Sequence, residues 1–264
     1  VSEVYAVASH QRAATLERKT LPLLDMLGVD LGQVHVWVDE GEVGEYERLG
    51  ICIRPVPTPT SEPWRVGAAR NAIARAYPPG SRLIEIDDDV SKVSVGWRGR
   101  KLEHVTAKSW REILDYAWQQ CALYGLNLWG PYPVYNDYFM RPTATTDLRY
   151  VTGTLFGTTL RHDPCELVVT DDKEDFERDM RHTLRDGGVL RLNWLAYETN
   201  YYGEPGGMQS YRTPVTVDDG ARRLAKMFPT LCTYAAGVGK FGHSEVKLRK
   251  AGGVASPIPV PRWV

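Results

Sequence analysis

Three consecutive carboxylates, Asp87-Asp88-Asp89, follow the apolar run Leu83-Ile84-Glu85-Ile86. Like charges crowded at the end of a strand repel one another, so the triplet is unfavourable for folding unless positive charge joins it. Hard divalent cations such as Mg²⁺ and Mn²⁺ take oxygen ligands. A strand ending in Asp-x-Asp can therefore hold a metal together with a diphosphate at a sheet edge. A solvated acidic turn explains the triplet alone equally well. The rest of the chain has to separate the two.

The elements around the triplet bear on that choice. Val4 to Ala8 predicts a buried strand ending in Ser9-His10-Gln11-Arg12. A helix is expected from there to about Leu27, stopped by Gly28, with Pro22 marking a break or a first turn. Val34 to Val38 predicts a second strand ending in Asp39, and Glu42 to Leu49 a short helix before the strand Ile51 to Ile53. After a Pro/Thr-rich loop at 55–63, Gly67 to Tyr77 reads as a helix, with Ala68, Ala69, Ala72, Ile73 and Ala76 as its packed side. Leu83 to Ile86 is the fourth strand. Strands alternating with helices at this spacing predict a mostly parallel sheet with right-handed crossovers, flanked by helices. Ligands bind such α/β sheets beyond the carboxyl ends of the strands. Ser9, Arg12, Asp39 and Asp87 to Asp89 all fall there, which favours a site over a turn.

In the second half, Lys92 to Val95 predicts a strand, and Ser109 to Tyr124 an amphipathic helix with Ser109 as N-cap and Gly125 as stop. Tyr150 to Leu160 is strand-like, with Gly153 and Gly157 as bulges or close approaches. The acidic run Asp171 to Glu177 opens a helix to about Arg185, where the helix dipole also favours negative charge. Val189 to Leu192 reads as a strand, Asp218 to Phe228 as a helix and Leu231 to Ala235 as a strand. The Gly/Lys-rich tail carries Lys240 and His243. Its Gly237-x-Gly239-x-x-Gly242 lacks a following βαβ unit, so it is not read as a dinucleotide fingerprint.

Composition narrows the class. The 264 residues, 43% hydrophobic and 25% charged, suit a globular protein of one large or two small domains. A formal net charge of −1 gives no global basic field for nucleic acid, though a local basic face is compatible with it. Four scattered cysteines (Cys52, Cys121, Cys165, Cys232) argue against a zinc knuckle or disulfide scaffold and fit a reducing cytosol, hence a cytoplasmic location. No apolar run is long enough for a membrane span, and no signal peptide is visible.

Gly67-Ala68-Ala69-Arg70-Asn71, followed by a strand and Asp-x-Asp, resembles the nucleotide-diphospho-sugar transferases of the GT-A fold. Ser9-His10-Gln11-Arg12, Lys19-Thr20-Leu21, Asp39, the 65–71 region, the acidic helix start at 171–175, Gly187-Gly188-Val189-Leu190-Arg191-Leu192-Asn193-Trp194 and Tyr197-Glu198-Thr199-Asn200-Tyr201-Tyr202 resemble a narrower family. That family is the TET-associated glycosyltransferases, phage-encoded enzymes related to the base J glucosyltransferase. The likeness covers most of residues 4–250.

The resemblance implies a single GT-A-like domain over 1–264, with 1–95 as the nucleotide-binding half and 96–264 as the acceptor half. It implies a metal-dependent hexosyltransferase with a UDP-sugar donor and Mn²⁺ or Mg²⁺. The acceptor it implies is a hydroxymethylated pyrimidine, such as hydroxymethylcytosine, in phage DNA, and the location is then the host cytoplasm. Ser9, Arg12, Asp39, Arg65, Gly67, Arg70, Asp87, Asp88 and Lys240 are the expected donor-site residues. Asp87, Asp89 and His243 are the expected metal ligands, with the register of the triplet open by one residue. Asp172 or Asp175 is the expected general base, and the resemblance favours Asp175. For DNA, the candidates are Trp97, Arg98, Arg100 and Lys101, together with Arg178, Arg181, Arg185, Lys247, Arg249 and Lys250, while Trp129 to Tyr138 could line a pocket for a flipped base. A transferase acting on polysaccharide or small molecules, a nucleotidyltransferase, and a non-enzymatic nucleic-acid-binding module stay open as alternatives.

Overall fold

Strand β1 (Glu3–Ala8) sits inside a nine-stranded sheet and is buried on both faces. Its side chains alternate accordingly. Tyr5 and Val7 pack with Leu16, Trp110 and Ile113 on one side, while Ala6 and Ala8 pack with Ala69 and Ile73 on the other. Strands covered on both faces read as continuous apolar runs, which is why this one is legible in sequence. The computed structural model describes residues 3–57, 65–199, 205–239, 243–249 and 257–264.

After β1 come α1 (Ala13–Arg18), α2 (Thr20–Met26), β2 (Val34–Asp39), α3 (Val43–Glu47), β3 (Cys52–Val56), α4 (Val66–Ala76) and β4 (Arg82–Ile86). Then follow β5 (Lys92–Trp97), β6 (Arg100–His104), α5 (Ala107–Tyr124), β7 (Leu128–Pro131), β8 (Thr143–Thr145) and β9 (Leu155–Thr159). The chain continues through α6 (Glu174–Asp186), β10 (Leu190–Leu192), β11 (Leu195–Glu198), α7 (Pro214–Met227), β12 (Cys232–Ala235), β13 (Glu245–Leu248) and β14 (Ile258–Pro259).

The main sheet has the order β14-β8-β10-β7-β9-β4-β1-β2-β3. β3, β2, β1 and β4 are mutually parallel, β9 runs against β4 and β7, and β8 runs against β10 and β14. All but β8 and β9 therefore point one way, and the fold is α/β with a mostly parallel central sheet flanked by helices. Strands from both halves of the chain share this sheet. β11-β5-β6 form a second sheet, and β12-β13 a hairpin. Among the described residues no helix is long and apolar enough to cross a membrane.

Several local expectations change. The expected first helix is broken at Lys19, and Pro22 lies in the first turn of α2, where its missing N–H is harmless. The N-cap of α5 is Thr106; Ser109 is the third helical residue of a reciprocal capping box, each hydroxyl accepting the other residue's backbone N–H. Strand β6 has the sequence Arg-Lys-Leu-Glu-His, without apolar alternation, and its pairing with β5 gives it its place. Gly157 and Gly153 mark close approaches: a Cβ on Gly157 of β9 would lie 2.2 Å from Trp129 Nε1, and one on Gly153 2.7 Å from Glu174 Oε1.

Candidate active site

Neighbouring parallel strands bring their polar ends together, because β2, β1 and β4 are adjacent and in register. Ser9, just past β1, donates its hydroxyl to Asp88 Oδ2 at 2.6 Å and shares a 2.8 Å hydrogen bond with Tyr46. Arg12 lies 3.3 Å from Asp88 and 3.7 Å from Asp89, while its Nε donates to the carbonyl of Pro205. Thr20 fixes the turn from below, its hydroxyl donating to the carbonyl of Asp87 at 2.8 Å and accepting the N–H of Val90. The Asp39 carboxylate accepts the N–H of Gly41 at 2.9 Å and so caps the turn after β2.

The three aspartates divide by direction. Asp88 is turned inward and is 3% exposed; burial pushes its carboxyl up to about 7, against the pull of Arg12 and Ser9. Asp87 and Asp89 line a cleft of about 660 Å³, within the range of small-molecule sites. The first and third carboxylates of the triplet thus face the cleft. Asp87 accepts from Arg70 at 2.8 Å, and Asp89 accepts from the Thr199 hydroxyl at 2.5 Å. Burial and the charge of Asp87 raise the Asp89 carboxyl above its ordinary range.

Arg70 projects from α4 into the protein and not into the cleft. It is 7% exposed, with one Nη on Glu85 at 2.9 Å and the other on Asp87 and the carbonyl of Gly153, both at 2.8 Å. Burial works against the cation, but Glu85, Asp87 and Glu174 hold its pKa above the usual arginine value. Its hydrogen bonds make it the strut behind Asp87. Asn71 clamps the 168 backbone in both directions, accepting from Val168 N and donating to Val168 O, each at 2.8 Å. The helix start is docked equally tightly: Gly67 donates its N–H to Asp171 at 3.2 Å, and a Cβ there would meet Asp171 Oδ1 and Thr170 O at 2.9 Å. Arg65 lies over the Tyr211 ring, 4.8 Å from its centroid, and 3.9 Å from Asp171.

The same cleft is lined by Asp172, Glu174 and Asp175. Asp172 is engaged by Arg212 at 2.7 Å. Asp175 accepts from the Tyr150 hydroxyl at 2.6 Å, from Gly153 N at 3.4 Å and from Phe176 N at 2.9 Å. A carboxylate offers about four lone-pair sites, so these three donors orient Asp175 and leave acceptor capacity for a further proton donor. Burial and neighbouring Asp175 push the Glu174 carboxyl up to about 8. Glu174, Tyr150, Thr199 and Arg212 were not singled out from the sequence. Glu174 had a signal in its place in the acidic run and Thr199 in the 197–202 stretch; Tyr150 and Arg212 reach the site through loops that have no periodicity.

His243 also lines the cleft, near Lys173 and Glu245, which pair with each other at 3.0 Å. Among the described residues no three His, Cys, Asp or Glu side chains converge into one metal-binding group, so Asp87, Asp89 and His243 share the cleft without forming a cage. Two carboxylate donors fit a hard divalent ion of the Mg²⁺ type, which keeps waters and completes its shell with substrate phosphate oxygens. Lys240 lies outside the described residues, as does Lys250.

Of the expected DNA contacts, Arg178 is buried: its guanidinium is 3.7 Å from the Phe156 ring centroid and donates to the carbonyl of Val151 at 2.6 Å. Arg181 and Arg185 are paired with Glu177 and Asp163. All three were DNA-contact candidates from sequence; packing against Phe156 of β9 takes Arg178 out of that set.

No protein-family model matches the chain, and no curated protein matches its sequence. Solved structures do match in fold. The mannosyltransferase PcManGT from Pyrobaculum calidifontis, in complex with GDP-Man and Mn²⁺, aligns with TM-score 0.52 and 13% identity over 86% of this chain and 64% of that one. S. aureus TarS 1–349, in complex with UDP, gives 0.46 and 15% over 75% and 59%. The inositol-1-phosphate CTP transferase from T. maritima gives 0.38 and 10% over 81% and 93%. This chain thus spans less than two thirds of the first two. The likeness to the mannosyltransferase shows the fold, a GT-A-like α/β architecture.

Proposed function

We propose that this chain is a metal-dependent glycosyltransferase that moves a sugar from a UDP-sugar to a hydroxyl acceptor, the hydroxymethyl group of a modified pyrimidine in DNA. The reading rests on one observation above all: Asp87 and Asp89, at the carboxyl end of a parallel strand, line the same cleft as the oriented carboxylate Asp175. In this reading Asp87 and Asp89 would hold a divalent cation, with His243 as a further ligand from the tail. That ion, when bound, would supply charge neutralisation for the departing nucleoside diphosphate. Asp175 takes the proton of the acceptor hydroxyl as that oxygen attacks the anomeric carbon. The bond from the anomeric carbon to the phosphate oxygen breaks, and its electron pair leaves on UDP. Arg12 stands beside the triplet and adds positive charge on the diphosphate side, while Arg70 keeps Asp87 in place.

The surface beside the cleft supports a nucleic-acid acceptor. Tyr138 and Phe139 are 56% and 50% exposed and meet edge to face. Arg98 lies over the Tyr138 ring, 4.9 Å from its centroid. Val134 of the same segment lines the cleft. Exposed aromatic faces with arginine suit base stacking and phosphate contact.

The test is incubation with a panel of UDP-sugars and Mn²⁺, offering DNA with and without hydroxymethylcytosine, read by mass spectrometry of the bases. We expect UDP release and a hexose adduct only on the hydroxymethylated base. We expect Asp89→Asn, folded by circular dichroism, to lose at least about a hundredfold in rate, the scale of electrostatic terms in catalysis. Pyrophosphate release with a nucleotidyl adduct would make the chain a nucleotidyltransferase. No turnover with any donor would remove the reading.

A further inference from the structure

Arg191, the middle residue of β10, is the second observation on which an acceptor can be built. Its Nε donates to Asn193 Oδ1 at 2.8 Å, and one Nη reaches the carbonyl of Tyr150 at 3.5 Å. Its guanidinium lies 5.2 Å from the centroid of the Tyr132 ring. All of these partners are neutral, and no carboxylate is within ion-pairing distance of it among the described residues. Burial pulls its pKa down to about 10, and the charge of Arg149 adds to that. The nearby carboxylates are already taken: Asp147 by Arg149 at 2.7 Å, and Asp179 by the N–H of Val151 at 2.8 Å with Arg178 at 3.4 Å. A largely desolvated cation whose carboxylate neighbours, Asp147 and Asp179, act on it only from beyond ion-pairing distance is unfavourable, and a closer anionic ligand would relieve it.

Position decides which anion. In the sheet order β10-β7-β9-β4, Arg191 is three strands from the Asp87–Asp89 turn. At about 4.8 Å per strand that is roughly 14 Å, too far to share a diphosphate held there. It is close to the other wall instead. Tyr150, whose carbonyl it reaches, presents its hydroxyl to Asp175, and Tyr132 leads into Pro133 and Val134 at the cleft.

We propose that Arg191 is the anchor for a phosphate of the acceptor, a phosphodiester of a nucleic-acid strand whose reacting hydroxyl lies at Asp175. This assignment rests on the glycosyltransferase reading for its placement of acceptor and donor. The Tyr132 ring backs the guanidinium.

Arg191→Met and Arg191→Lys test it. Binding of a fluorescein-labelled single-stranded oligodeoxynucleotide containing hydroxymethylcytosine is followed by anisotropy across a salt series, and binding of UDP is followed separately by calorimetry. We expect Arg191→Met to weaken oligonucleotide binding about tenfold and to reduce the slope of log affinity against log salt by about 0.7, the value for one phosphate contact on a single strand. The lysine variant should keep most of the affinity, and UDP binding should be unchanged in both. The melting temperature of Arg191→Met should equal or exceed that of the parent, since the variant removes a half-buried charge that lacks a close counter-ion. The assignment is overturned if the methionine variant keeps affinity and slope, if it melts well below the parent, or if the parent binds inorganic phosphate but not the oligonucleotide. Failure of the parent to bind UDP overturns the glycosyltransferase reading instead, and the oligonucleotide arm still judges Arg191.

Discussion

The triplet at 87–89 shows how three identical side chains acquire different jobs. Asp88 points back toward Ser9 and Arg12 and is buried, while Asp87 and Asp89 flank it and reach the cleft. The chain turns directly after β4, with Asp88 and Asp89 in the turn, and the hydrogen bond from Ser9 holds the middle carboxylate inward. Around Asp175 the decisive neighbour is Tyr150, whose hydroxyl is 2.6 Å from Oδ2 and whose ring stacks on Phe176 with centroids 4.2 Å apart. Tyr150 is then a positioning residue. Tyr150→Phe should keep the stack and lose the hydrogen bond, lowering kcat about tenfold or more while the donor KM stays the same, since small misplacements of a reacting group cost that much. Steady-state kinetics with varied UDP-sugar checks this, and a crystal structure of the variant with Asp175 unmoved would count against it.

At the scale of elements, the site depends on how closely α4, α6 and β9 approach β4. Arg70 from α4 meets Glu85 on β4, and Arg178 from α6 meets the 151–152 carbonyls before β9. β9 can lie between β4 and β7 because Gly157 leaves room for the Trp129 ring, where a Cβ would sit 2.2 Å from Nε1. Trp129 is fully buried and meets Trp118 edge to face, so it has little room to yield. Gly157→Ala should therefore destabilise by about 1–3 kcal/mol, the usual cost of overpacking, in urea unfolding. A variant as stable as the parent would show that the Trp129 ring can move.

The whole molecule carries an unusual set of buried ionisable groups behind the cleft. Burial pushes Glu174 up to about 8 and Asp179 well above the carboxylate range, and it lowers the buried imidazole of His182. A carboxyl whose folded pKa is raised binds its proton in the native state, so the stability it contributes is full below its unfolded value and is lost as pH rises through the folded value. His182, lowered, acts in the opposite sense: its contribution is present above about 6.5, its unfolded value, and is lost as pH falls. Between about pH 4.3 and 6.5 the two oppose each other. Above about 6.5 the carboxyls act alone, and stability should fall toward pH 8. Thermal melts of the ligand-free protein should show this fall, and Glu174→Gln should flatten it. A melting temperature that rises from pH 6.5 to 8 would contradict the assignment.

Much of the first half was legible in sequence. Val4 to Ala8, Val34 to Val38 and Leu83 to Ile86 are largely apolar on both faces, so their strands, their parallel direction and the polar residues at their ends could be placed from pattern alone, while their order in the sheet could not. Periodicity is a local property, and it fixed which residues stand at the carboxyl edge. It could not show that Arg70 turns inward to brace Asp87, that Arg178 is buried under Phe156, or that Tyr150 reaches Asp175. Those are contacts between segments far apart in the chain, set by how helices pack against a sheet. The Asp87-Asp88-Asp89 sequence by itself determined that carboxylates would crowd one strand end. Only the tertiary structure decided which two of them face the cleft, because burial against Ser9, Tyr46 and Arg12 claims the third.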